Sequence, residues 1–312
     1  MRWNDRIGRR IKLSDLHVLL SVAQCGSMAK AASELAMSHP VVSRSIGELE
    51  HTLGVRLLER NPHGTELTAY GRALLSRSNA AFDELRQGVR DIEFLADPTV
   101  GEVRIGTTPP LAASFVAAVI DRLSRRHPGI AFHVTAEGEE AIRKLGERGV
   151  DLLIFRRYES IPAGQMSFEF LFESPYVVVA GAGNPWVGRR RIALADLMGE
   201  AWALPMPDDR FGSFVMDAFR ASGLDVPRAT VITTALEIRA NLLRTGRYLS
   251  IVPEFWLQLP VPHPFIKKLP VELPITGGPI GIMTLKNRTL SPVVRRFIDC
   301  AREVAKPLAK TK

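Results

Sequence analysis

Residues 27–54, SMAKAASELAMSHPVVSRSIGELEHTLG, constrain the fold of this chain more than any other stretch. Ser27 and Ser38 are good N-caps, and each stands before a run in which apolar residues recur at helical spacing. Pro40 is tolerated in the first turn of the second run, and Gly54 is a typical residue to end it. Two helices joined by such a tight turn predict a helix-turn-helix.

The polar face of the second helix carries side chains that can meet DNA. Small and hydroxyl side chains near the N-terminus of a helix fit the major groove, and an arginine there can reach guanine or phosphate. The side chains in question are Ser38, His39, Pro40, Ser43 and Arg44. Helical hairpins with a solvated face are common, so these residues alone leave both DNA binding and a plain helical domain open.

The flanking segments complete the pattern of a winged domain. Upstream, Ser14 is predicted to cap a further helix that ends at Gly26. Downstream, VRLLERNPHGTEL at residues 55–67 predicts a strand, a turn at residues 61–64 and a return strand. A helix-turn-helix followed by such a hairpin favours DNA binding.

Residues 68–96 predict one long helix that ends at Asp97-Pro98. Its apolar positions alternate in steps of three and four, which is typical of a coiled-coil seam. The seam consists of Leu74, Ser78, Ala81, Leu85, Val89, Ile92 and Leu95. The seam favours a homodimer, whose DNA site would be an inverted repeat, and the alternative is a helix packed on its own domain.

These N-terminal features together resemble the DNA-binding domain of LysR-type transcriptional regulators. The matching motifs are the capped helix with paired alanines, Ser-x-Pro-x-x-Ser, Leu-Glu, Leu-Gly and Leu-Thr-x-x-Gly at residues 67–71. The resemblance implies DNA contacts at Lys30, Ser38, His39, Pro40, Ser43, Arg44, Arg60 and Thr65. His39 stands where glutamine is usual, Gly47 where a basic residue is frequent and Leu58 where phenylalanine is usual, which leaves the half-site preference open.

The rest of the chain predicts further domains, because 312 residues exceed one ordinary domain. Beyond Pro98, strand and helix patterns alternate, which predicts a parallel sheet flanked by helices. The lengths fit two α/β lobes, with the chain crossing near Ile161-Pro162 and returning near Pro264. The alternation by itself also allows one large sheet, and the two-lobed arrangement with a ligand cleft is what the resemblance implies.

The predicted fold is α/β with three parts. These are an all-α-type winged helix-turn-helix DNA-binding domain at residues 12–67, a linker dimerisation helix at 68–97 and a two-lobed effector-binding domain at 98–306. The effector-binding domain is expected to be similar to periplasmic binding proteins. Its lobe I would comprise residues 98–161 and 265–306, and its lobe II residues 162–264.

Strand ends indicate the residues of the effector site, because ligands favour the C-terminal ends of parallel strands and helix N-termini. By this rule the candidates are Thr107, Thr108, Glu137, Phe155, Arg156, Pro205, Thr234 and Ile251. Arg156 is a cation at a strand end, and with the Thr108 hydroxyl it can hold a carboxylate or a sugar acid. The alternative is an ordinary surface arginine beside Arg157.

The net charge and the two cysteines constrain the function less than these motifs do. The net charge of +8 is compatible with a nucleic-acid partner, but most of the excess lies beyond residue 97, so local placement matters more. The basic residues ahead of the first helix are Arg2, Arg6, Arg9, Arg10 and Lys12. The apolar run that follows them is short and comes after Asp15, so we expect a cytoplasmic protein and not a secreted one. Cys25 and Cys300 fit buried thiols in a reducing compartment, with a redox sensor as the alternative.

Motifs of catalysis are missing from the sequence: it has no Walker or dinucleotide glycine pattern, no His-Glu-x-x-His and no Gly-x-Ser-x-Gly. We expect a LysR-type regulator that is not an enzyme, without cofactor or metal, and that senses a small molecule. Its expected partners are double-stranded DNA with an inverted-repeat operator, the effector, further copies in a homodimer or homotetramer, and RNA polymerase, with no membrane. The alternatives are a ligand-independent nucleoid-type DNA-binding protein and a soluble solute-binding or catalytic α/β protein.

Overall fold

A computed structural model of the chain describes residues 10–61, 64–157, 164–208, 210–259, 263–274 and 277–309, apart from the side chains of Arg60, Asn61, Glu139 and Arg210. Three expected features lie outside these residues: the basic residues Arg2, Arg6 and Arg9, the turn residues Pro62 and His63, and the crossing at Ile161-Pro162. The chain divides into two compact units at residues 89 and 90.

The first unit is a winged helix-turn-helix. Its elements are α1 (Leu13–Cys25), α2 (Met28–Glu34), α3 (His39–Leu53) and the antiparallel hairpin of β1 (Leu58–Asn61) and β2 (Gly64–Leu67). Their inward apolar side chains share one core of Val18, Leu19, Val22, Ala31, Ala32, Val42, Ile46, Leu49, Leu57 and Leu58. The predicted fold of this domain is therefore confirmed.

The start of α1 differs from the prediction of a Ser14 cap. Lys12 occupies the N-cap position in an extended conformation, and its carbonyl oxygen accepts hydrogen bonds from the N–H groups of Asp15 and Leu16. The first helical hydrogen bonds thus form earlier than a Ser14 cap would allow, and Ser14 is an exposed residue of the first turn.

A long helix, α4 (Ala69–Ala96), follows the wing. Thr68 caps it, since its Oγ1 accepts the N–H of Gly71 at 3.0 Å and donates to the carbonyl oxygen of Arg56 at 2.8 Å. At about 1.5 Å per residue, 28 residues span about 42 Å. This agrees with the helix expected from residue 68 to 96.

The second unit contains two five-stranded sheets. Its strands are, in chain order, β3 (Val100–Thr107), β4 (Gly129–Thr135), β5 (Leu152–Arg156), β6 (Met166–Glu173), β7 (Tyr176–Gly181), β8 (Ala201–Leu204), β9 (Val231–Ile232), β10 (Tyr248–Pro253), β11 (Ile266–Lys268) and β12 (Pro279–Leu285). Its helices are α5 (Pro109–Leu111), α6 (Ala117–Arg126), α7 (Glu139–Gly146), α8 (Arg210–Ala221), α9 (Leu236–Arg244), α10 (Glu254–Gln258) and α11 (Pro292–Ala309). A π-helical turn at Ala112–Val116 joins α5 to α6.

The two sheets give the unit its two lobes. The first has the order β4-β3-β5-β12-β6, and the second has the order β11-β7-β10-β8-β9. In the first, β3 pairs in parallel with β4 and β5, whereas β12 runs antiparallel to β5 and β6. The single large sheet that the alternation also allowed is thus excluded.

The crossings between the sheets lie later in the chain than expected. Strand β6 pairs with β12 in the first sheet, although the predicted lobe II began at residue 162. Strand β11 pairs with β7 in the second sheet, although the predicted return lay at residue 265. The chain therefore crosses between the sheets after β6 and again after β11, because pairing with a distant strand, and not the local pattern, assigns each edge strand to its sheet.

Helices in the described part of the chain fall short of what crossing a bilayer requires, since none is both long and apolar enough.

Candidate functional site

The outer face of α3 is the first candidate site. Ser38, the N-cap of the helix, is exposed, as are His39, Pro40 and Arg44, whereas Ser43 is half-buried. The opposite face carries Val42, Ser45, Ile46 and Leu49, which are all buried. The predicted base-reading residues thus share the solvent-facing side of the helix N-terminus, where a major groove can receive them.

Two carboxylates hold α3 in place from its buried side. The hydroxyl of Ser45 donates to Oδ1 of the buried Asp15 on α1. Oε1 of Glu50, near the C-terminal end of α3, accepts the N–H groups of Leu57 at 2.7 Å and Leu58 at 3.2 Å. Charged acceptors make strong hydrogen bonds, so α3 is fixed both to the first helix and to the start of the wing.

The remaining predicted DNA contacts flank α3. Lys30 is exposed on α2. In the wing, Arg60 pairs with Thr65 across the hairpin, and the Thr65 N–H donates to the carbonyl oxygen of Gly26 at 3.0 Å. The Arg60 side chain lies outside the described part of the structure. A wing tied to the end of α1 in this way has a defined position relative to the helices of its own unit.

A row of apolar side chains on α4 is the second candidate site. Leu85, Val89, Ile92 and Leu95 are all exposed, although large apolar side chains usually lie inside a folded protein. They recur in steps of three and four, so they share one face of the helix. In contrast, Ser78 of the predicted seam is buried. The face from Leu85 to Leu95 is named the α4 stripe below.

A cavity of about 580 Å³ in the second unit is the third candidate site. Residues from both sheets line it: Thr108, Pro109, Pro110, Leu111, Ala136, Glu137, Gly138, Phe155, Arg156, Tyr176, Pro205, Asp208, Phe211, Thr234, Arg239, Pro253 and Phe255. A volume of this size is typical of a small-molecule pocket. The cavity brings together six of the eight predicted effector-site residues: Thr108, Glu137, Phe155, Arg156, Pro205 and Thr234.

The other two predicted residues, Thr107 and Ile251, lie in strands behind the cavity. Thr107 is fully buried, and its hydroxyl donates to the carbonyl oxygen of Ile154 at 2.8 Å. Ile251 is fully buried in the core of the second lobe, and Pro253, two residues later, lines the cavity instead. Because a strand advances about 3.3 Å per residue, the end of a strand and the residue that reaches the ligand can differ by one or two positions.

Arg156 is not an ordinary surface arginine, which was the alternative that the sequence left open, because it is only 4% exposed. Its Nη1 donates to the carbonyl oxygens of Ser174 at 3.0 Å and Gly278 at 2.8 Å. Its guanidinium carbon lies 4.7 Å from the centre of the Tyr176 ring. A buried cation at the end of β5 thus borders the cavity, while the neighbouring Arg157 is exposed.

Sequence reasoning missed a second buried arginine and two aromatic rings. Arg239 is 1% exposed and donates to the carbonyl oxygen of Ile251 at 3.2 Å. The rings of Tyr176 and Phe211 stack with their centres 4.8 Å apart, and the Arg239 guanidinium lies 5.3 Å from the Phe211 ring. The only sequence signal for Arg239 is its spacing from Leu243. It lies one turn before that buried residue, and therefore on the inward side of α9.

Both cysteine thiols lie in surroundings that raise their pKa. The Glu34 carboxylate accepts a hydrogen bond from Cys25 and raises the pKa of that thiol, and burial raises the pKa of Cys300. A raised pKa disfavours the reactive thiolate. Among the described residues, no cluster of three or more His, Cys, Asp or Glu side chains has the arrangement of a metal site.

Comparisons with family models match nearly the whole chain. Residues 13–72 match the model described as the bacterial regulatory helix-turn-helix protein, lysR family, and residues 96–306 match the LysR substrate binding domain. The two matched ranges correspond to the winged domain with the start of α4, and to the two-lobed domain that holds the cavity.

Curated relatives match over most of their length. The HTH-type transcriptional regulator GbpR of Azospirillum brasilense is 28% identical over 301 residues, which cover 94% of this chain and 86% of GbpR. The HTH-type transcriptional regulator PcaQ of Agrobacterium fabrum is 26% identical over 300 residues, which cover 96% of each chain.

Solved structures share the fold. A cysteine-substituted form of full-length OxyR from Pseudomonas aeruginosa aligns with a TM-score of 0.68 at 19% identity, over 96% of this chain and 98% of that chain. Full-length CbnR complexed with its target DNA aligns with a TM-score of 0.62 at 21% identity, over 94% and 99% of the two chains. At these identities the likeness supports the architecture of the fold.

Proposed function

This chain belongs to the LysR family of bacterial transcriptional regulators, and from that membership we propose that α3 reads an inverted-repeat operator while the cavity binds a small organic acid. The chain is a DNA-binding regulator with a C-terminal effector-binding domain. The proposal assigns the residues that contact DNA, the partner copy and the effector, and the chemical class of that effector. The observation that carries it is the exposed set at the N-terminus of α3, held on a winged helix-turn-helix.

Direct base contacts are assigned to Ser38, His39, Pro40, Ser43 and Arg44. Arg44 is exposed one turn into α3, where it can donate two hydrogen bonds to one guanine. His39 can donate or accept, so it suits more than one base edge. Backbone contacts are assigned to Lys30 on α2 and to Arg60 and Thr65 in the wing, since phosphate contacts fix position without reading sequence.

The α4 stripe is assigned to a second copy of the chain. Four large apolar side chains left in water favour association, because covering them removes apolar surface from solvent. A two-fold dimer places two copies of α3 at related positions, and this explains why an inverted repeat is the expected operator. The same argument is compatible with a tetramer made of two dimers.

The cavity is assigned to the effector, a carboxylate or a sugar acid. Its support is that the buried Arg156, at the end of β5, and Thr108, which directly follows β3, line the same cavity. Ligand binding that favours one arrangement of the two sheets would shift the dimer between states that hold DNA differently. The chain then acts by binding and not by catalysis, in the cytoplasm with the DNA, and RNA polymerase is its partner at the promoter.

A footprinting experiment tests the proposal. The purified chain is titrated onto duplex DNA from the region upstream of its own gene, at several salt concentrations. We expect a protected inverted repeat and binding that weakens as salt rises, because basic side chains release counterions from phosphates. Footprints without half-site symmetry would instead favour a nucleoid-type DNA-binding protein. Absence of salt-dependent binding would favour an α/β protein whose N-terminal domain only assembles it.

A further inference from the structure

Arg156 connects the cavity to both segments that join the two sheets. Its Nη1 donates to the carbonyl oxygens of Ser174 and Gly278. Ser174 lies between β6 and β7, and Gly278 lies between β11 and β12, so each belongs to a crossover segment. One guanidinium nitrogen therefore holds both crossover segments together. A movement of one sheet relative to the other has to pass through these two segments, both of which Arg156 holds.

The other terminal nitrogen of Arg156, Nη2, has no hydrogen-bond acceptor within the described part of the chain and is buried. A buried cationic donor without an acceptor is unfavourable, and arginine cannot relieve this by losing its proton. The Tyr176 ring, 4.7 Å from the guanidinium carbon, faces the cation but accepts no in-plane hydrogen bond from Nη2. A carboxylate oxygen is the acceptor whose geometry and charge suit this nitrogen best.

The N-terminus of the helix that begins at Pro109 lacks the backbone donors that would bind the same carboxylate. A helix N-terminus binds anions through its first backbone N–H groups. Here Pro109 and Pro110 occupy the first two positions, and proline has no N–H. Thr108, the N-cap, makes no side-chain cap hydrogen bond in the described structure, so its hydroxyl remains as a neutral donor. Full positive charge in the cavity lining comes instead from Arg156 at the end of β5 and from Arg239 on α9.

Aromatic rings and prolines supply eight of the seventeen residues that line the cavity. Phe155, Tyr176 and Phe255 are buried and line the cavity together with Phe211. The carboxylates of the lining, Glu137 and Asp208, are exposed. A ligand with many hydroxyls would leave those that face the rings without hydrogen-bond partners, whereas an apolar body loses nothing there.

We propose that the cavity takes a carboxylate with an aromatic or alicyclic body, that this carboxylate binds Nη2 of Arg156, and that Arg156 thereby couples the ligand to the two crossover segments. The inference rests on the proposed function of the cavity as the effector site and narrows its ligand class. It makes Arg156 both the binding residue and the link to movement between the sheets.

Calorimetric titration of the full chain with defined probes tests the ligand class. The probes are benzoate, 2-naphthoate and cyclohexanecarboxylate, their neutral amides, and the sugar acids gluconate and glucuronate. We expect saturable binding of at least one of the first three, with its amide at least about tenfold weaker, because the amide loses the charge-assisted hydrogen bond. Binding of a sugar acid alone, or of no probe at millimolar concentration, would overturn the inference.

Substitution of Arg156 tests the coupling. Arg156→Gln should weaken the bound carboxylate at least about tenfold, whereas Arg157→Gln, an equal loss of charge at the exposed neighbour, should leave the affinity unchanged. Arg156→Lys keeps the charge if the glutamine variant does not fold. In the unsubstituted chain the ligand should slow amide hydrogen exchange at residues 174–177 and 277–280, and in Arg156→Lys this slowing should disappear.

The inference would also be overturned if Arg156→Gln bound the carboxylate as tightly as the unsubstituted chain does, or if the ligand still slowed exchange at these residues in Arg156→Lys. Operator footprinting and a screen for stabilisation by other metabolites are separate measurements. If only the inference is wrong, the footprint and the stabilisation by another metabolite should still be observed. If the proposed function is wrong, neither should be observed.

Discussion

Nη2 of Arg288 lies 2.9 Å from Oδ1 of Asp151, and the two side chains are 2% and 1% exposed. Asp151 directly precedes β5, and its Oδ2 accepts the backbone N–H of Arg104 in β3 at 2.8 Å. The Arg90 guanidinium, in the part of α4 that belongs to the second unit, lies 3.4 Å from Oδ1. One carboxylate thus joins the end of α4, two strands and the segment after β12, at the opposite end of β5 from Arg156.

Removing the carboxylate at Asp151 should destabilise the second unit strongly. Asp151→Asn leaves the buried Arg288 cation without its counter-charge, which costs about 3 kcal/mol or more in the free energy of unfolding. The exposed pair between Arg302 and Glu169, 2.7 Å apart, supplies the control. Glu169→Gln should cost less than about 1 kcal/mol. Urea unfolding followed by circular dichroism measures both, and equal costs would contradict the prediction.

Arg44→Ala should weaken binding to the operator by about 1–3 kcal/mol if Arg44 reads a base. The loss should shrink on duplexes whose half-sites are scrambled, because a base contact matters only at its own base. Arg125→Ala, at an exposed arginine of α6, is the control and should bind as the unsubstituted chain does. Quantitative gel-shift titration at one salt concentration checks this, and equal losses on all duplexes would make Arg44 a backbone contact.

Gly47→Lys should strengthen DNA binding regardless of sequence. Gly47 is exposed on α3, and apart from its chain neighbours and the backbone of its own helix, no heavy atom of the described residues lies within 4 Å of the place where its Cβ would be. One added phosphate contact should steepen the dependence of log affinity on log salt by about 0.9. Gly47→Gln is the neutral control. An unchanged salt slope would mean that this side of α3 does not approach phosphate.

The α4 stripe should control self-association. In Leu85→Glu/Ile92→Glu, two charges replace apolar side chains at the proposed contact, so the chain should become monomeric at micromolar concentration. Arg86→Glu, next to the stripe on the same helix, should leave the assembly state unchanged. Light scattering coupled to gel filtration gives the masses. A double variant that still associates would place the contact between copies elsewhere.

Local signals and distant contacts explain which parts of the molecule the sequence could predict. The N-cap position of Ser38, the period of α3 and the stop at Gly54 all lie within one stretch, and the structure reproduces them, although the Ser38 side chain makes no capping hydrogen bond in the described structure. The sheet that holds β6 depends on its pairing with β12, which lies far along the chain, so no local pattern could assign it. Arg156 and Arg239 look like surface residues, and carbonyl oxygens of other segments decide their burial. Strand ends therefore predicted where the cavity lies and that Arg156 borders it, but not the burial of Arg156 or the presence of Arg239.

Gly71→Ala should destabilise the first unit, and the reason lies in backbone packing. Gly71 stands in the first turn of α4, where a Cβ would collide with the carbonyl oxygen of Leu57. Backbone cannot move aside as a flexible side chain does, so a cost of about 2 kcal/mol in the free energy of unfolding is expected.

Gly47→Ala provides the matched control for Gly71→Ala, because it adds the same methyl group to a helix of the same unit in open space. It should stabilise that unit by about 0.5–1 kcal/mol, since alanine loses less backbone entropy than glycine in a helix. Both are measured by thermal unfolding in the Leu85→Glu/Ile92→Glu background, so that self-association does not contribute to stability. If Gly71→Ala were as stable as Gly47→Ala, α4 would have to begin farther from the strand of the wing, and the Thr68 cap that places it there would be wrong.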